Sequence, residues 1–382
     1  MKPFEVPEKW LVPEKDISRW KFIWQAVETG DLSILPVGDG SEDWAAYIRS
    51  QRMSGILYGC LNKEGSRSAS HENIRKELRD DYIRLQSLRK IREDEADAVL
   101  ETLRSVAVTP LLMKGLYLQE FVYGRDKARP SSDIDILIEN GEDFDRAVKA
   151  VAGLGYRKYE YYSSAWERRF MKSTTLIPDS KRLYFEVDLH RSLVYSRNDR
   201  RWKFDAALLS SERRETRDYR GKKVRTLSPE ANFLYLAYHA LEIHDNCRSL
   251  VWLADLIGLS KIEGFSGEKV RSLAREAGCP GLPEYAFYLM DRLVTGDPGP
   301  EAGPKILKGK RGHSSREKFL NVDGFFNKIW WLMLWLFPSG KYLAGYYGPG
   351  AGSLTRRMKY LAEKTGIRKP RRQAVLQRND EN

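Results

Sequence analysis

The stretch Arg129-Pro130-Ser131-Ser132-Asp133-Ile134-Asp135-Ile136-Leu137-Ile138 constrains the fold of this chain more than any other. Asp133 and Asp135 lie two residues apart in an apolar run. In an extended strand alternate side chains share a face, so both carboxylates point one way while Ile134 and Ile136 point the other. Two acids on one face repel each other and call for a cation between them. Hard oxygen donors at this spacing suit Mg²⁺, which keeps several waters and takes its remaining ligands from substrate phosphates. The plain alternative is a solvated strand end whose acids face water. The sequence around the pair weighs against that alternative.

The chain of 382 residues is 42% hydrophobic, enough for a real core and for two or three domains. Its formal charge of +12 points to an anionic partner: nucleotide, nucleic acid or membrane surface. Cys60, Cys247 and Cys279 are too scattered for a disulfide framework or a zinc site and fit a reducing cytoplasm. No apolar run follows a basic start, so no secretory signal is expected and the expected location is cytoplasmic.

Taken in order, residues 1–106 read as a helical region. One helix carries Trp20, Trp24 and Val27 behind Asp16 or Ser18. Another starts at Ser41-Glu42-Asp43 and runs from Trp44 to Leu61, and a long helix covers about 72–105. Residues 107–227 read as an α/β core. A strand over 109–114 leads through Gly115 into a short helix over 116–123 and a polar loop to Ser132. The Asp133 strand, a turn at Asn140-Gly141 and a helix through Val151 follow. Strands are then expected at 156–162, 167–172 and 182–190, and a hairpin around Arg220-Gly221-Lys222.

Residues 228–382 read as a C-terminal helical region with a basic tail. Ser228-Pro229-Glu230 supplies a capping serine and a first-turn proline. Helices are expected over 250–262 and 267–277, and a flexible loop over 296–316. The apolar run 325–337 is shorter than the roughly 20 residues of a bilayer span and holds Asn327 and Lys328. It reads as a buried helix rather than a transmembrane span, with peripheral membrane contact left open. Residues 353–372 hold eight Lys or Arg, which fits either a solvated face or contact with phosphate or nucleic acid. The whole reads as α+β: a small mixed sheet flanked by N-terminal and C-terminal helical regions.

Three short motifs come in a fixed order. Lys114-Gly115 places a glycine at a helix start, where free N–H groups can cradle a phosphate and Lys114 adds positive charge. Arg129-x-Ser131-x-Asp133-Ile134-Asp135 follows, with Arg129 and Ser131 placed to contact a triphosphate or to brace the acidic strand. Phe185-Glu186-Val187-Asp188-Leu189-His190 completes the set.

The set resembles the nucleotidyltransferase superfamily with the polymerase-β-like fold. Within it, the chain is similar to an uncharacterised family with a Lys-Gly pair, an Arg-x-x-x-Asp-x-Asp strand and a later acid-Leu-His. It also looks like the abortive-infection nucleotidyltransferase toxins. The likeness covers most of residues 16–260. One departure is plain: most of the superfamily has Gly-Ser or Gly-Gly at the phosphate turn, and here Leu116 follows Gly115.

The resemblance implies metal-dependent transfer of an NMP from an NTP, such as ATP, to a hydroxyl on a small molecule, protein or RNA, with release of pyrophosphate. It implies two Mg²⁺ ions, or Mn²⁺, held by Asp133, Asp135 and Asp188. It places Lys114, Gly115, Arg129 and Ser131 on the nucleotide, with Glu186 and His190 as accessory residues and Glu186 as the rival third carboxylate. The competing class is a non-catalytic nucleotide- or nucleic-acid-binding protein on the same fold. His239 and His244, five apart, do not share a helical face as a zinc pair would and read as structural. Arg248 and Asp255 read as a pair across the helical region.

Overall fold

The alternation of apolar and polar residues in the central strands decides the architecture. The structure, a computed structural model, describes residues 5–7, 10–36, 43–61, 69–159, 172–179, 184–194, 203–243, 249–295 and 304–307. A short strand β1 (Glu5–Pro7) precedes seven strands of one mixed sheet: β2 (Leu111–Leu112), β3 (Asp133–Leu137), β4 (Tyr156–Lys158), β5 (Ser173–Pro178), β6 (Glu186–His190), β7 (Arg214–Tyr219) and β8 (Lys222–Leu227). Their spatial order is β4-β5-β6-β3-β2-β8-β7. The acidic strand β3 sits at the centre, parallel to β6 and antiparallel to β2. This is the α+β arrangement the sequence implies.

On one face of the sheet, Ile134 and Ile136 of β3 join Val187 and Leu189 of β6 in a buried cluster. The long helix α4 (Ala69–Ser105) covers that face with Ala96, Val99, Leu100 and Leu103, a 3-1-3 spacing that keeps one helical stripe against the sheet. Helix α6 (Gly141–Ala152) adds Phe144, Ala147 and Val151. Its start is fixed by Asn140, whose side chain accepts the Glu142 N–H at 3.0 Å. The other face of β3 carries the two acids, and beyond them Leu137 enters a second, larger cluster.

That second cluster is built by α1 (Glu14–Thr29), α2 (Trp44–Ser50), α3 (Ser54–Cys60), α5 (Lys114–Leu118), α7 (Phe204–Leu208), α8 (Pro229–Tyr238), α9 (Leu250–Ser260), α10 (Gly267–Glu276) and α11 (Gly281–Val294). Helix α8 is buried along its whole length and is capped by Ser228, whose Oγ accepts the Ala231 N–H.

Several boundaries differ from the sequence reading. The strand expected over 109–114 is only Leu111–Leu112, because Lys114 turns into the left-handed region with φ of 45° and begins α5. The helix expected from Trp44 to Leu61 is two helices, broken where Arg52 has φ of 59°. The first helix starts at Glu14, upstream of both expected caps, and Ser18 instead donates to the Glu14 carbonyl inside it. The expected strand over 167–172 lies almost wholly outside the described residues, and the strand found nearby is Ser173–Pro178. Within the expected loop 296–316, Lys305–Leu307 forms β9, parallel to β1. The apolar run 325–337 and the basic segment 353–372 lie outside the described residues. Among those described, no helix is long and apolar enough to cross a membrane.

Candidate active site

Parallel pairing of β3 with β6 sets the site. Asp133 lies opposite Glu186, Asp135 opposite Asp188, and Leu137 opposite His190. In-register neighbours share a face, so the acids of both strands converge on one side of the sheet. One ligating atom each from Asp135, Asp188 and His190 fall within 4.8 Å of one another. Asp133 and Glu186 are not in this group. Glu186 is exposed at the strand start. On the next strand Thr175 stands opposite Asp188 and donates its hydroxyl to Asp188 Oδ1 at 2.5 Å. Ser131 Oγ donates to Asp133 Oδ1 at 3.2 Å.

Lys114 reaches into this group from the junction of β2 and α5. Its Nζ is 2.5 Å from Asp135 Oδ1 and 3.5 Å from His190 Nε2, and lies 6.0 Å from the centre of the Tyr235 ring. The same Asp135 oxygen also meets His190 Nε2 at 2.9 Å. Burial favours a neutral Asp135, but the Lys114 charge and the His190 contact overcome it and hold the carboxyl well below the usual range. Burial likewise opposes the Lys114 charge, and Asp135 overcomes it, so Lys114 stays charged beyond the usual lysine range.

Asp133 responds in the opposite direction. The negative charge of Asp135, followed by burial, pushes its pKa up to about 6. Burial and the nearby Lys114 lower the pKa of His190, which leaves the imidazole neutral. The His190 Nδ1 has no hydrogen-bond partner among the described residues.

The loop that delivers β3 is braced from several sides. Arg129 makes a two-point ion pair with Asp255 of α9, Nε to Oδ1 at 2.7 Å and Nη2 to Oδ2 at 2.6 Å. The Tyr123 hydroxyl donates to the same carboxylate at 2.7 Å. Gln119 accepts the Arg129 N–H and donates to the carbonyls of Gly124 and Lys127. From α4, buried Arg92 donates to the Ser131 carbonyl at 3.2 Å. One turn further, Glu95 accepts the N–H groups of Tyr184 and Phe185 at 2.8 and 3.1 Å, just ahead of β6. Gly115 has a steric reason: a Cβ there would come within 2.4 Å of Ser131 Oγ.

These contacts refine the sequence reading. Of the two roles open to Arg129, its geometry is that of a brace. Asp255 pairs with Arg129; Arg248, its expected partner, lies outside the described residues, as does His244. His239 packs edge-on against Tyr235.

A comparison with known protein families matches residues 40–295, more than half of the chain, to a family described as uncharacterised nucleotidyltransferase. The chain belongs to that family. The matched span takes in Lys114-Gly115, the Asp133 strand and the Asp188 strand, so the resemblance carried by those motifs holds. No curated protein matches the chain with significant similarity.

Sequence reasoning missed part of this nucleotidyltransferase site. Lys172 is buried at the start of β5. Burial and the neighbouring Lys114 push its pKa down to about 7, while Asp135, Asp188 and Asp133 act on it in the opposite sense. Thr175, Tyr235, Arg92 and Glu95 were missed as well. None of them sits in a local motif. Thr175 was legible only through the alternation of β5, had its register been known.

Proposed function

We propose that this nucleotidyltransferase moves a nucleoside monophosphate from an NTP, ATP among them, to a hydroxyl acceptor and releases pyrophosphate. The reading is carried by the in-register pairing of Asp135 with Asp188, with His190 on the same face and the three ligating atoms within 4.8 Å. Two carboxylates and a neutral imidazole fit a divalent cation. The raised pKa of Asp133 marks negative charge that a cation would relieve.

We assign Mg²⁺ or Mn²⁺, the imidazole favouring Mn²⁺. Asp135, Asp188 and His190 would hold one ion, and Asp133 with Asp135 would face a second. An ion held by these residues would supply charge neutralisation for the triphosphate and a lowered pKa for the acceptor hydroxyl. The acceptor oxygen bonds to the α-phosphorus as the bond from that phosphorus to the pyrophosphate oxygen breaks, and the hydroxyl proton passes to water. Lys114 supplies positive charge beside the acids for the leaving phosphates. Ser131 orients Asp133, and Thr175 orients Asp188. Arg129 acts on the reaction through the loop it pins. The scattered cysteines, with Cys60 and Cys279 free thiols, suit the cytoplasm as the place of work.

The test is incubation of full-length protein with each α-labelled NTP, Mg²⁺ or Mn²⁺ and a cell extract, followed by separation of labelled protein, RNA and small molecules. Label should pass to one class of acceptor and be lost in Asp135→Asn. Tight NTP binding with no label transferred would instead favour the non-catalytic nucleotide-binding reading.

A further inference from the structure

Asp135 Oδ1 has two nitrogen neighbours, Lys114 Nζ at 2.5 Å and His190 Nε2 at 2.9 Å. The two nitrogens are 3.5 Å apart. A divalent ion bound through that oxygen must push one of them aside. His190 is fully buried and held by the β3–β6 register. Lys114 is the movable partner. It has a four-carbon flexible stem, keeps slight exposure, and hangs from a residue in the left-handed backbone region at a strand–helix junction. An ammonium and a metal ion on one carboxylate oxygen also repel each other in a site where water screens little.

We propose that Lys114 and the divalent cation compete for Asp135, so that metal loading releases the Lys114 ammonium to the nucleotide phosphates. Lys114 is then the residue that makes productive nucleotide binding follow metal binding. The inference rests on the metal assignment above and adds to it a direction of coupling. The released ammonium stays on the acidic face, because the neighbouring carboxylates and the Tyr235 ring attract it. Its next partner is the charge that the nucleotide brings.

The test is Mn²⁺ binding to full-length protein, read by electron paramagnetic resonance without nucleotide, for the natural protein, Lys114→Met and Asp188→Asn. Lys114→Met should bind Mn²⁺ about tenfold more tightly or better, since a cationic competitor is gone. A merely structural role for Lys114 would weaken binding instead. Unchanged or weaker Mn²⁺ affinity in Lys114→Met, with binding still sensitive to Asp188→Asn, overturns the competition and leaves the metal assignment standing. No Mn²⁺ binding by the natural protein, or binding indifferent to Asp188→Asn, overturns both. Should Lys114→Met fail to fold, lysine acylation of the natural protein, read by mass spectrometry, decides the question. Mg²⁺ alone should raise labelling of Lys114 several-fold, and added NTP should lower it again. Labelling that ignores Mg²⁺ under conditions where the ion binds overturns the proposal.

Discussion

Arg129 and Asp255, 126 residues apart in the chain, meet in a two-point ion pair with both side chains almost wholly buried. The pair fastens the loop ahead of β3 to α9. Arg129→Met would leave Asp255 buried with only the Tyr123 hydroxyl and should cost about 3–5 kcal/mol. Replacing both, as Arg129→Met with Asp255→Leu, should recover much of that loss, because no buried charge is left alone. Urea unfolding of the two single variants and the double variant measures the coupling.

The carboxylates of β3 and β6 should separate by role. Asp135→Asn and Asp188→Asn are each expected to lower kcat by about 10²-fold or more, with weakened Mn²⁺ binding. Glu186→Ala, which removes an exposed acid outside the three-residue group, should stay within several-fold of the natural rate. An inactive Glu186→Ala beside an active Asp188→Ala would move the third carboxylate to Glu186.

Asp133 gives a pH signature. Its pKa is raised from the ordinary 3.8 to about 6. Between those values the folded chain binds more protons than the unfolded one, so this group's contribution to stability falls as pH rises from about 4 to 6 and then levels off. Asp133→Asn removes the effect. Without added metal it should stabilise the protein by about 1–3 kcal/mol more at pH 7.5 than at pH 4.5. His190, whose pKa is lowered, acts in the opposite sense below the ordinary histidine value, and Lys172, lowered to about 7, does so from about 7 upward. The difference between variant and natural protein removes the part of these effects that does not depend on Asp133. Thermal melts at the two pH values check the sign.

The Gly115–Ser131 approach is testable by a mutant pair. Gly115→Ala forces a Cβ to 2.4 Å from Ser131 Oγ and 3.1 Å from Ser131 Cβ. It should destabilise by about 1–3 kcal/mol. Adding Ser131→Ala removes the tighter contact and leaves the other, so recovery should be partial. Full additivity in unfolding measurements would show that the loop shifts instead.

The acidic face was legible because period-two alternation in Asp133–Leu137 needs no tertiary information. Helix α6 was legible through the spacing of Phe144, Ala147 and Val151, and helix α8 through Ser228-Pro229, whose capping hydroxyl and ring geometry act within one turn. What stayed hidden depends on distance in the chain. Nothing local says that Asp255 will meet Arg129, or that Lys172 will lie beside acids from two other strands. The Lys114-Gly115 pair was seen, but the reason for its glycine was not. It lies in the approach of Ser131, known only once α5 is laid against the loop. The break at Arg52 was missed because the apolar spacing of Trp44–Leu61 runs straight through it.

Arg92 and Glu95 sit three positions apart on α4, which places them on one side of the helix. One holds the residue two places before Asp133, and the other holds the backbone just ahead of Glu186. Both acidic strands thus take their starting points from a single rigid datum, not from the chain that joins them. Length changes between β3 and β6 that leave β4 and β5 in place can therefore alter that connection while Asp135 and Asp188 remain face to face. Relatives that vary freely there should keep the same active-site spacing, and a one-residue slip within α4 between Arg92 and Glu95 should disturb it more than a long insertion elsewhere.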